Sequence, residues 1–152
     1  MKLVDVSRSE SENDVVRKEA EAQQLLSAVN EKRIVSLKAF FRNDQNQFVL
    51  VTEETVGTLQ QLIEANHSFT EHEVKVIAFG ALEALLTVHN NYHIHRNIHP
   101  SSFFFTSNDL NSLKLGNFAC VTDENGFNSA SGLKGIEGFR VSPQLMCLER
   151  DI

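Results

Sequence analysis

The sequence predicts an α+β fold in which a small mixed lobe, residues 1–54, is followed by a mainly helical part, residues 55–152. Two patterns indicate this order. The first part reads as a strand, a helix and a hairpin, whereas the second part opens with a long apolar helix behind a strong N-terminal cap. With 152 residues and 41% hydrophobic content the chain can bury one core, so we expect a single domain.

The predicted small lobe begins with a strand, because residues 2–6 alternate between apolar and polar side chains. An amphipathic helix is expected over residues 14–30. Its apolar residues near one face are Val15, Ala22, Leu25, Leu26 and Val29. Residues 34–41 and 47–52 are expected to be two strands of a hairpin, since the turn formers of residues 42–46 separate them. A strand, a helix and a hairpin in this order are typical of a small mixed lobe.

The strongest helix prediction lies in the second part of the chain. Thr70 and Glu73 form a capping box, with Thr70 at the N-cap and Glu73 three residues later. The helix that they open has seven apolar residues at helical spacing: Val74, Ile77, Ala78, Ala81, Leu82, Leu85 and Val88. The other predicted elements are a short helix and two short strands, over residues 59–65, 103–106 and 113–116. We expect the three phenylalanines of the first of these strands to be buried on both faces.

The composition excludes several classes of function. A net charge of −6 and a pI near 5.5 argue against a partner such as nucleic acid or an anionic membrane, which would need a clustered basic face. Cys120 and Cys147 lie far apart without a C-x-x-C pair, which suits a reducing compartment. No stretch has the apolar length of a signal peptide or of a membrane span, so we expect a cytoplasmic protein.

Two runs of residues carry the strongest functional signal. The first is His95-Arg96-Asn97-Ile98-His99-Pro100-Ser101-Ser102 followed by three phenylalanines, and the second is Leu115-Gly116-Asn117-Phe118-Ala119. They resemble the H-R-D-x-K-P-x-x-N catalytic loop and the D-F-G magnesium loop of protein kinases. Within that family the sequence is most similar to the NIMA-related (NEK) branch, whose members carry L-G-D-F-G and an N-I-F-L strand.

The resemblance extends over nearly the whole chain, in the order of the family's motifs. Lys2 corresponds to the lysine of the V-A-I-K strand and Val51 to the gatekeeper. Residues 52–54 correspond to the hinge between lobes, and residues 141–144 to the A-P-E motif. The resemblance therefore implies a partial protein kinase-like fold. It also implies vestigial nucleotide-pocket positions at Lys2, Val51, Glu53 and Phe104.

The sequence leaves the partner of Lys2 open. In protein kinases this lysine pairs with a glutamate of the following helix, which Glu19 or Glu21 could supply. Counting back along the sequence without a gap puts Ala22 at that position, so a solvated Lys2 is the alternative. The Gly-rich loop that covers the nucleotide phosphates in the family would lie upstream of Met1. We therefore expect an incomplete nucleotide site.

Four substitutions at the family's chemical positions imply a loss of catalysis. Asn97 replaces the Asp that orients the substrate hydroxyl, and an amide has no ionisable oxygen at neutral pH. Asn117 replaces the Asp that holds magnesium, which prefers anionic oxygen. His99 and Ser102 replace the loop lysine and the second metal ligand. The resemblance thus implies a pseudokinase with no functional catalytic residue, no metal and no cofactor. ATP and magnesium enter only with the alternative, a NEK-like serine/threonine kinase that keeps ATP binding or residual phosphate transfer.

The residues that shape a kinase core are retained. A spine between the lobes is expected from His95 and Phe118, Leu25 or Leu26, and Leu37. We also expect the apolar helix over residues 74–88 and the segment after Gly138 to bind a protein partner. That partner would be a related active kinase or a second copy of the chain. The function implied is a protein-interaction or scaffolding module.

Two rival interpretations remain. His93, His95 and His99 could bind zinc if the first two lie on a strand and face the same side. Alternatively, an active kinase of unusual mechanism could use Asp109 or Asp123, which lie near the two loops in sequence. Neither acid occupies the position that the family's chemistry requires.

Overall fold

The computed structural model describes residues 2–4, 10–65 and 67–123, with side chains described over 14–65 and 67–122. Its first part contains a three-stranded antiparallel sheet and one helix. These elements are β1 (Lys2–Val4), α1 (Glu10–Val29), β2 (Leu37–Arg42) and β3 (Phe48–Thr52). The strand order is β1-β3-β2, so β3 is the central strand of this sheet.

The hairpin between β2 and β3 is held by its turn residues. The Asn43 side-chain oxygen accepts hydrogen bonds from the backbone N–H of Gln45 (3.1 Å) and of Gln47 (2.8 Å). Asn46 has φ 59°, a left-handed conformation that Asn tolerates better than most residues. The turn formers of residues 42–46 therefore close the hairpin as expected, although β2 begins three residues later than predicted.

Up to residue 123, the second part contains two α-helices and two small antiparallel sheets. The helices are α2 (Leu59–Glu64) and α3 (Glu71–Asn90). The strands are β4 (Gly57–Thr58), β5 (His93–Ile94), β6 (Phe103–Phe105), β7 (Leu113–Leu115) and β8 (Thr122–Asp123). They form sheets of order β4-β6-β7 and β5-β8. The α+β prediction is confirmed: a small strand-rich lobe precedes a part dominated by α3.

Both helices of the second part begin at capping boxes. The Thr70 hydroxyl accepts from the Glu73 N–H, and the Glu73 carboxylate accepts from the Thr70 N–H, as predicted. Thr58 and Gln61 form the same reciprocal pair at the start of α2. Among the described residues, no helix is long and apolar enough to span a membrane.

The main core lies between α3, the sheet of β6 and β7, and residues 118–120, against which α1 packs. Its fully or nearly fully buried members include Leu26, Ile34, Val88, Leu115 and Phe118. A smaller cluster of Val16, Ala20, Phe48 and Leu50 fills the space between α1 and the first sheet. Phe103 and Phe105 are each 6% exposed, whereas Phe104 is only partly buried. Because side chains alternate along a strand, Phe103 and Phe105 lie on one face and Phe104 on the other, so the expectation of burial on both faces is confirmed for one face and met only partly on the other.

Helix α1 is rotated relative to the sequence prediction. Val15, Leu25 and Val29 were expected on the buried face but are 49%, 49% and 56% exposed. The face that is buried carries Val16, Glu19, Ala20, Ala22, Gln23, Leu26 and Ser27. Polar residues are accepted there because they are bonded: the Gln23 amide donates to the Val35 carbonyl (3.0 Å). The prediction is therefore confirmed for Ala22 and Leu26 and wrong for Val15, Leu25 and Val29.

The two parts of the fold are joined by a short stretch between α1 and β2. Ile34 forms a parallel bridge with Leu115, and the Val35 N–H donates to the Leu115 carbonyl (2.9 Å). Arg33 is 3% exposed, and its Nε donates to the Glu83 carboxylate on α3 (2.7 Å). Ile34 was expected inside the hairpin strand; it leaves that strand to pair with β7 instead. This stretch therefore ties the first part of the fold to β7 and α3.

Candidate functional site

The loop of residues 95–102 is held against the loop that follows β7. Arg96 adopts φ 58°, and its Nε donates to the Cys120 carbonyl (2.7 Å). The Gly116 N–H donates to the Ser102 carbonyl (2.9 Å). The two motifs singled out in the sequence are therefore neighbours in space, joined by hydrogen bonds at both ends.

His95 is a buried structural residue of this site. It is 1% exposed, its Nε2 lies 2.9 Å from the Gly116 carbonyl, and its ring meets the Phe118 ring edge-on at 4.9 Å. Because a carbonyl can only accept, Nε2 carries the proton, and Nδ1 accepts from the Asn97 N–H (3.3 Å). Burial lowers the pKa of His95 from 6.5 to about 4. The ring is therefore neutral at pH 7.

The predicted spine is confirmed in part. His95 and Phe118 are in contact, and Phe118 lies with Leu26 in the main core. Leu25 is 49% exposed and is excluded as the helical member. Leu37 packs against the smaller cluster at the first sheet instead of joining the spine. The chain pairs with β7 at Ile34 and then enters the first sheet at Leu37.

His99 lies between two serine hydroxyls. Its Nδ1 is 2.7 Å from the Ser101 Oγ, and its Nε2 is 3.1 Å from the Ser102 Oγ. The Ser102 Oγ also donates to the Asn97 carbonyl (2.8 Å). Since that bond uses the Ser102 proton, Nε2–H of His99 donates to Ser102, and Ser101 donates to Nδ1. Ser102 and His99 thus shape the loop through neutral hydrogen bonds, and burial lowers the pKa of His99.

Asn117 stands at the start of the second loop in a left-handed conformation. Its φ is 62° and its ψ is 55°, and Phe118, the next residue, is fully buried beneath α1. Asn adopts this conformation more readily than most residues, so the amide is compatible with the backbone. The loop therefore keeps a defined geometry with a neutral side chain at the position where the resemblance expects an acid.

The residues present at these positions do not fit a magnesium ion. Asn97, His99, Ser102 and Asn117 are all neutral side chains, whereas magnesium sites use carboxylates. Asp109 is exposed in the turn between β6 and β7, where its carboxylate accepts from the Asn111 N–H (2.9 Å). The Asp123 side chain is not among the described ones. In the described residues no group of three or more His, Cys, Asp and Glu side chains could hold a metal.

The zinc interpretation does not fit the positions of the three histidines. Nδ1 of His93 contacts the Asn91 carbonyl, Nε2 of His95 contacts the Gly116 carbonyl, and both ring nitrogens of His99 contact serines. Both ring nitrogens of His95 and of His99 are thus used in hydrogen bonds, and in the described part of the chain the three histidines do not form a group that could hold a metal.

Phe104 lies next to Gly116, a contact that the sequence did not reveal. A Cβ at Gly116 would lie 3.0 Å from the Phe104 ring and 3.2 Å from Val35. The residue before Asn117 must therefore be glycine or force the aromatic ring to move. Phe104 was predicted to line a nucleotide pocket. Phe104 is partly buried, and its role in such a pocket stays a prediction.

Glu53 is engaged in an ion pair that was not predicted. Its carboxylate oxygens lie 2.8 and 2.9 Å from Nζ of Lys114, and one of them accepts from the Ser36 N–H (2.7 Å). Both side chains are mostly buried, at 11% exposure for Lys114 and 18% for Glu53. The sequence signal was a lysine in the middle of a short buried strand. The pair ties the segment after β3 to β7.

The remaining predicted pocket residues are placed as follows. Val51 is partly buried in β3, beside Ala39 of β2. Lys2 of β1 lies opposite Leu50, but its side chain lies outside the described residues, so the choice between an ion pair and a solvated lysine stays open. Of the two candidate acids, Glu19 is 3% exposed and Glu21 is exposed. Residues 141–144 and the segment after Gly138 also lie outside the described part of the chain.

Comparison with known proteins agrees with this geometry. The protein kinase domain family matches residues 1–145. A solved structure, the yeast RNA polymerase II CTD kinase CTDK-1 complex, superposes with a TM-score of 0.65 at 16% sequence identity. The superposition covers 80% of this chain and 38% of that one. At this identity the likeness shows the fold alone.

Curated relatives include several serine/threonine kinases. The protein kinase polo of Drosophila melanogaster is 26% identical over 108 residues, 70% of this chain and 18% of its own length. Kinase B of Synechocystis is 34% identical over 107 residues, 70% of this chain and 18% of its length. Kinase cds1 of Schizosaccharomyces pombe is 30% identical over 94 residues, 62% of this chain and 20% of its length. The chain thus spans about a fifth of each of these relatives, and it belongs to the protein kinase domain family.

Proposed function

We propose that this chain is a catalytically inactive, NEK-like member of the protein kinase family that acts as a protein-interaction module. One observation carries the proposal. The two loops are assembled, with Asn117 in a defined left-handed conformation and Phe118 buried, yet Asn97 and Asn117 stand where the family's chemistry needs acids. Neutral amides can neither accept the substrate's proton at pH 7 nor replace an anionic metal ligand.

The surrounding hydrogen bonds support the same conclusion. Phosphate transfer depends on positioning and on charge neutralisation, so losses at several charged positions compound. The Ser102 proton is directed at the Asn97 carbonyl, and His99 lies between two hydroxyls. These side chains stabilise the loop and present no anionic oxygen.

A second candidate function is a NEK-like serine/threonine kinase that retains ATP binding or residual phosphate transfer. The observation in its favour is the assembled geometry itself, since a site that had drifted freely would have no reason to keep Phe118 buried against His95. Phosphate transfer separates the two candidates. Wild type and Asn97→Ala should incorporate the same background level of labelled phosphate.

The interaction part of the proposal rests on an exposed stripe of α3. Phe79, Leu82 and Leu86 are 60%, 65% and 59% exposed and recur at intervals of three and four residues. This is the spacing with which two helices pack along a seam, and a seam of this kind is complementary to itself. We therefore assign the stripe to contact with a second copy of the chain, with a related kinase as the alternative occupant.

Light scattering over a range of concentrations tests this contact. We expect the apparent mass of the wild type to rise with concentration, and the rise to be lost in Leu82→Glu. Val15→Glu is the matched control, because Val15 is 49% exposed near the start of α1, whereas the contact with α3 through Asn30 and Thr87 lies at the other end of that helix. Leu85→Glu is unsuitable, since Leu85 packs against the main core. A wild type that stays monomeric at every concentration contradicts self-association.

A further inference from the structure

A groove of about 390 Å³ lies between α2, the start of α3 and the turn between β6 and β7. Its volume falls in the roughly 300–1,000 Å³ range of ligand sites. Its apolar lining consists of Val56, Leu62, Ala65, Phe105 and Leu110. None of the degenerate loop residues lines it, so the groove is separate from the site described above.

The floor of the groove is a fixed part of the core. Phe105 is 6% exposed and belongs to the main core, and Leu62 and Leu110 pack against that core. The rim is different, because Val56 is 61% exposed while its N–H donates to the Phe105 carbonyl (2.8 Å). A rigid apolar floor beneath an exposed apolar rim favours an aliphatic side chain that enters from solvent.

The polar end of the groove is acidic. The Glu73 carboxylate accepts from the Thr70 N–H (2.8 Å) and hydroxyl (2.9 Å), and these bonds lower the Glu73 pKa, so it is charged at pH 7. His67 Nε2 lies 3.4 Å from the other oxygen. Asp109 stands between two lining residues, and Glu64 directly precedes Ala65.

The surrounding sequence contains no fixed positive charge. Residues 43–74 include no Lys and no Arg, and their acids are Asp44, Glu53, Glu54, Glu64, Glu71 and Glu73. Two of these acids are paired with lysines, Glu53 with Lys114 and Glu71 with Lys75. Glu73 lines the groove, and Glu64 and Asp109 are sequence neighbours of lining residues, so this end of the groove has a negative potential, which attracts cationic partners and repels anionic ones.

We propose that this groove binds a protein segment in which an aliphatic side chain is flanked by Lys or Arg. The aliphatic side chain fills the space above Phe105 and Leu62, and the basic side chain lies beside Glu73 and Asp109. The segment docks whether or not the chain transfers phosphate. It also leaves the exposed stripe of α3 free, because Phe79, Leu82 and Leu86 do not line the groove.

The test is selection of peptides from a displayed random library on the full chain, followed by affinity measurement with a labelled synthetic copy of the strongest binder. We expect selected peptides to combine Lys or Arg with Leu, Ile, Val or Met. Val56→Lys should weaken binding about tenfold or more, which is about 1.4 kcal/mol. Val29→Lys, the same substitution at a similarly exposed valine, should leave binding within about twofold. Raising the salt concentration should weaken binding.

Ala65→Lys provides a second variant on the opposite rim, where residue 65 is exposed and a lysine suits a helix C-terminus. It should weaken binding as Val56→Lys does. The proposal is overturned if no peptide is enriched over the Val56→Lys protein. Enrichment of acidic or purely apolar peptides, or equal binding to both rim variants and the control, would also overturn it. Because the peptide readout does not depend on phosphate transfer, its failure leaves the proposal of catalytic inactivity standing.

Discussion

Acidification should destabilise this protein through His95. The ring is 1% exposed, and burial lowers its pKa from 6.5 to about 4, so the unfolded chain binds a proton that the folded chain excludes. Stability is therefore complete above pH 6.5 and is lost as the pH falls towards 4. From these two pKa values, the free energy of unfolding should fall by about 2.5 kcal/mol between pH 7 and pH 4.5. His99, whose pKa burial also lowers, adds a loss of the same sign.

Urea denaturation at pH 7.0 and pH 4.5 measures this loss, and His95→Gln isolates the contribution of His95. Glutamine keeps an N–H that can donate to the Gly116 carbonyl but does not titrate. The variant should be less stable at pH 7, by about 2–3 kcal/mol, because the ring that packs on Phe118 is removed. It should then lose about 2.5 kcal/mol less than the wild type on acidification.

Equal losses in the wild type and in His95→Gln would refute this reasoning. They would mean that the ring is charged or solvated in the folded protein. The contact with Phe118 that defines the site would then be absent in solution.

Three further outcomes are expected. ATP with magnesium should raise the melting temperature by less than about 1 °C, whereas a site with a Kd of about 10 μM would add about 2.7 kcal/mol at about 1 mM ATP and shift it by more than about 5 °C. Asn97→Asp combined with Asn117→Asp should not restore phosphate transfer, because two neutral positions remain in the first loop; rescue by these two changes alone would show a more complete site. Arg33→Ala should destabilise by about 2–3 kcal/mol in urea, because it removes a buried guanidinium bonded to the partly exposed Glu83. Lys75→Ala, which breaks an exposed pair, should cost less than about 0.5 kcal/mol; equal effects would show that Arg33 does not hold the two parts together.

Local signals predicted the elements of the second part well. The capping box of Thr70 and Glu73 placed the start of α3 correctly, because a cap depends only on residues within one turn. The helix predicted over residues 59–65 is observed as α2, one residue shorter, and in the first part of the chain the hairpin turn closes as expected, for the same reason. The family resemblance predicted correctly that the two loops lie close together, because the order of the motifs implies the chain path of a protein kinase domain.

The misplaced features depend on contacts between residues distant in sequence. The buried face of α1 carries Gln23, and burial of its amide is tolerated because the amide donates a hydrogen bond to the Val35 carbonyl. Glu53 and Lys114 are 61 positions apart, so no local pattern links them. The hydrogen bonds of His99 to its two serines depend on the loop's fold, which residue types alone do not encode.

The most direct test of the central claim is transfer of labelled phosphate from ATP to the chain itself and to a generic Ser/Thr substrate, with magnesium and with manganese. The claim is that the loops keep their geometry while Asn97 and Asn117 remove the chemistry. It predicts that the wild type shows no more transfer than Asn97→Ala with either metal. Metal-dependent transfer by the wild type that disappears in Asn97→Ala would contradict it.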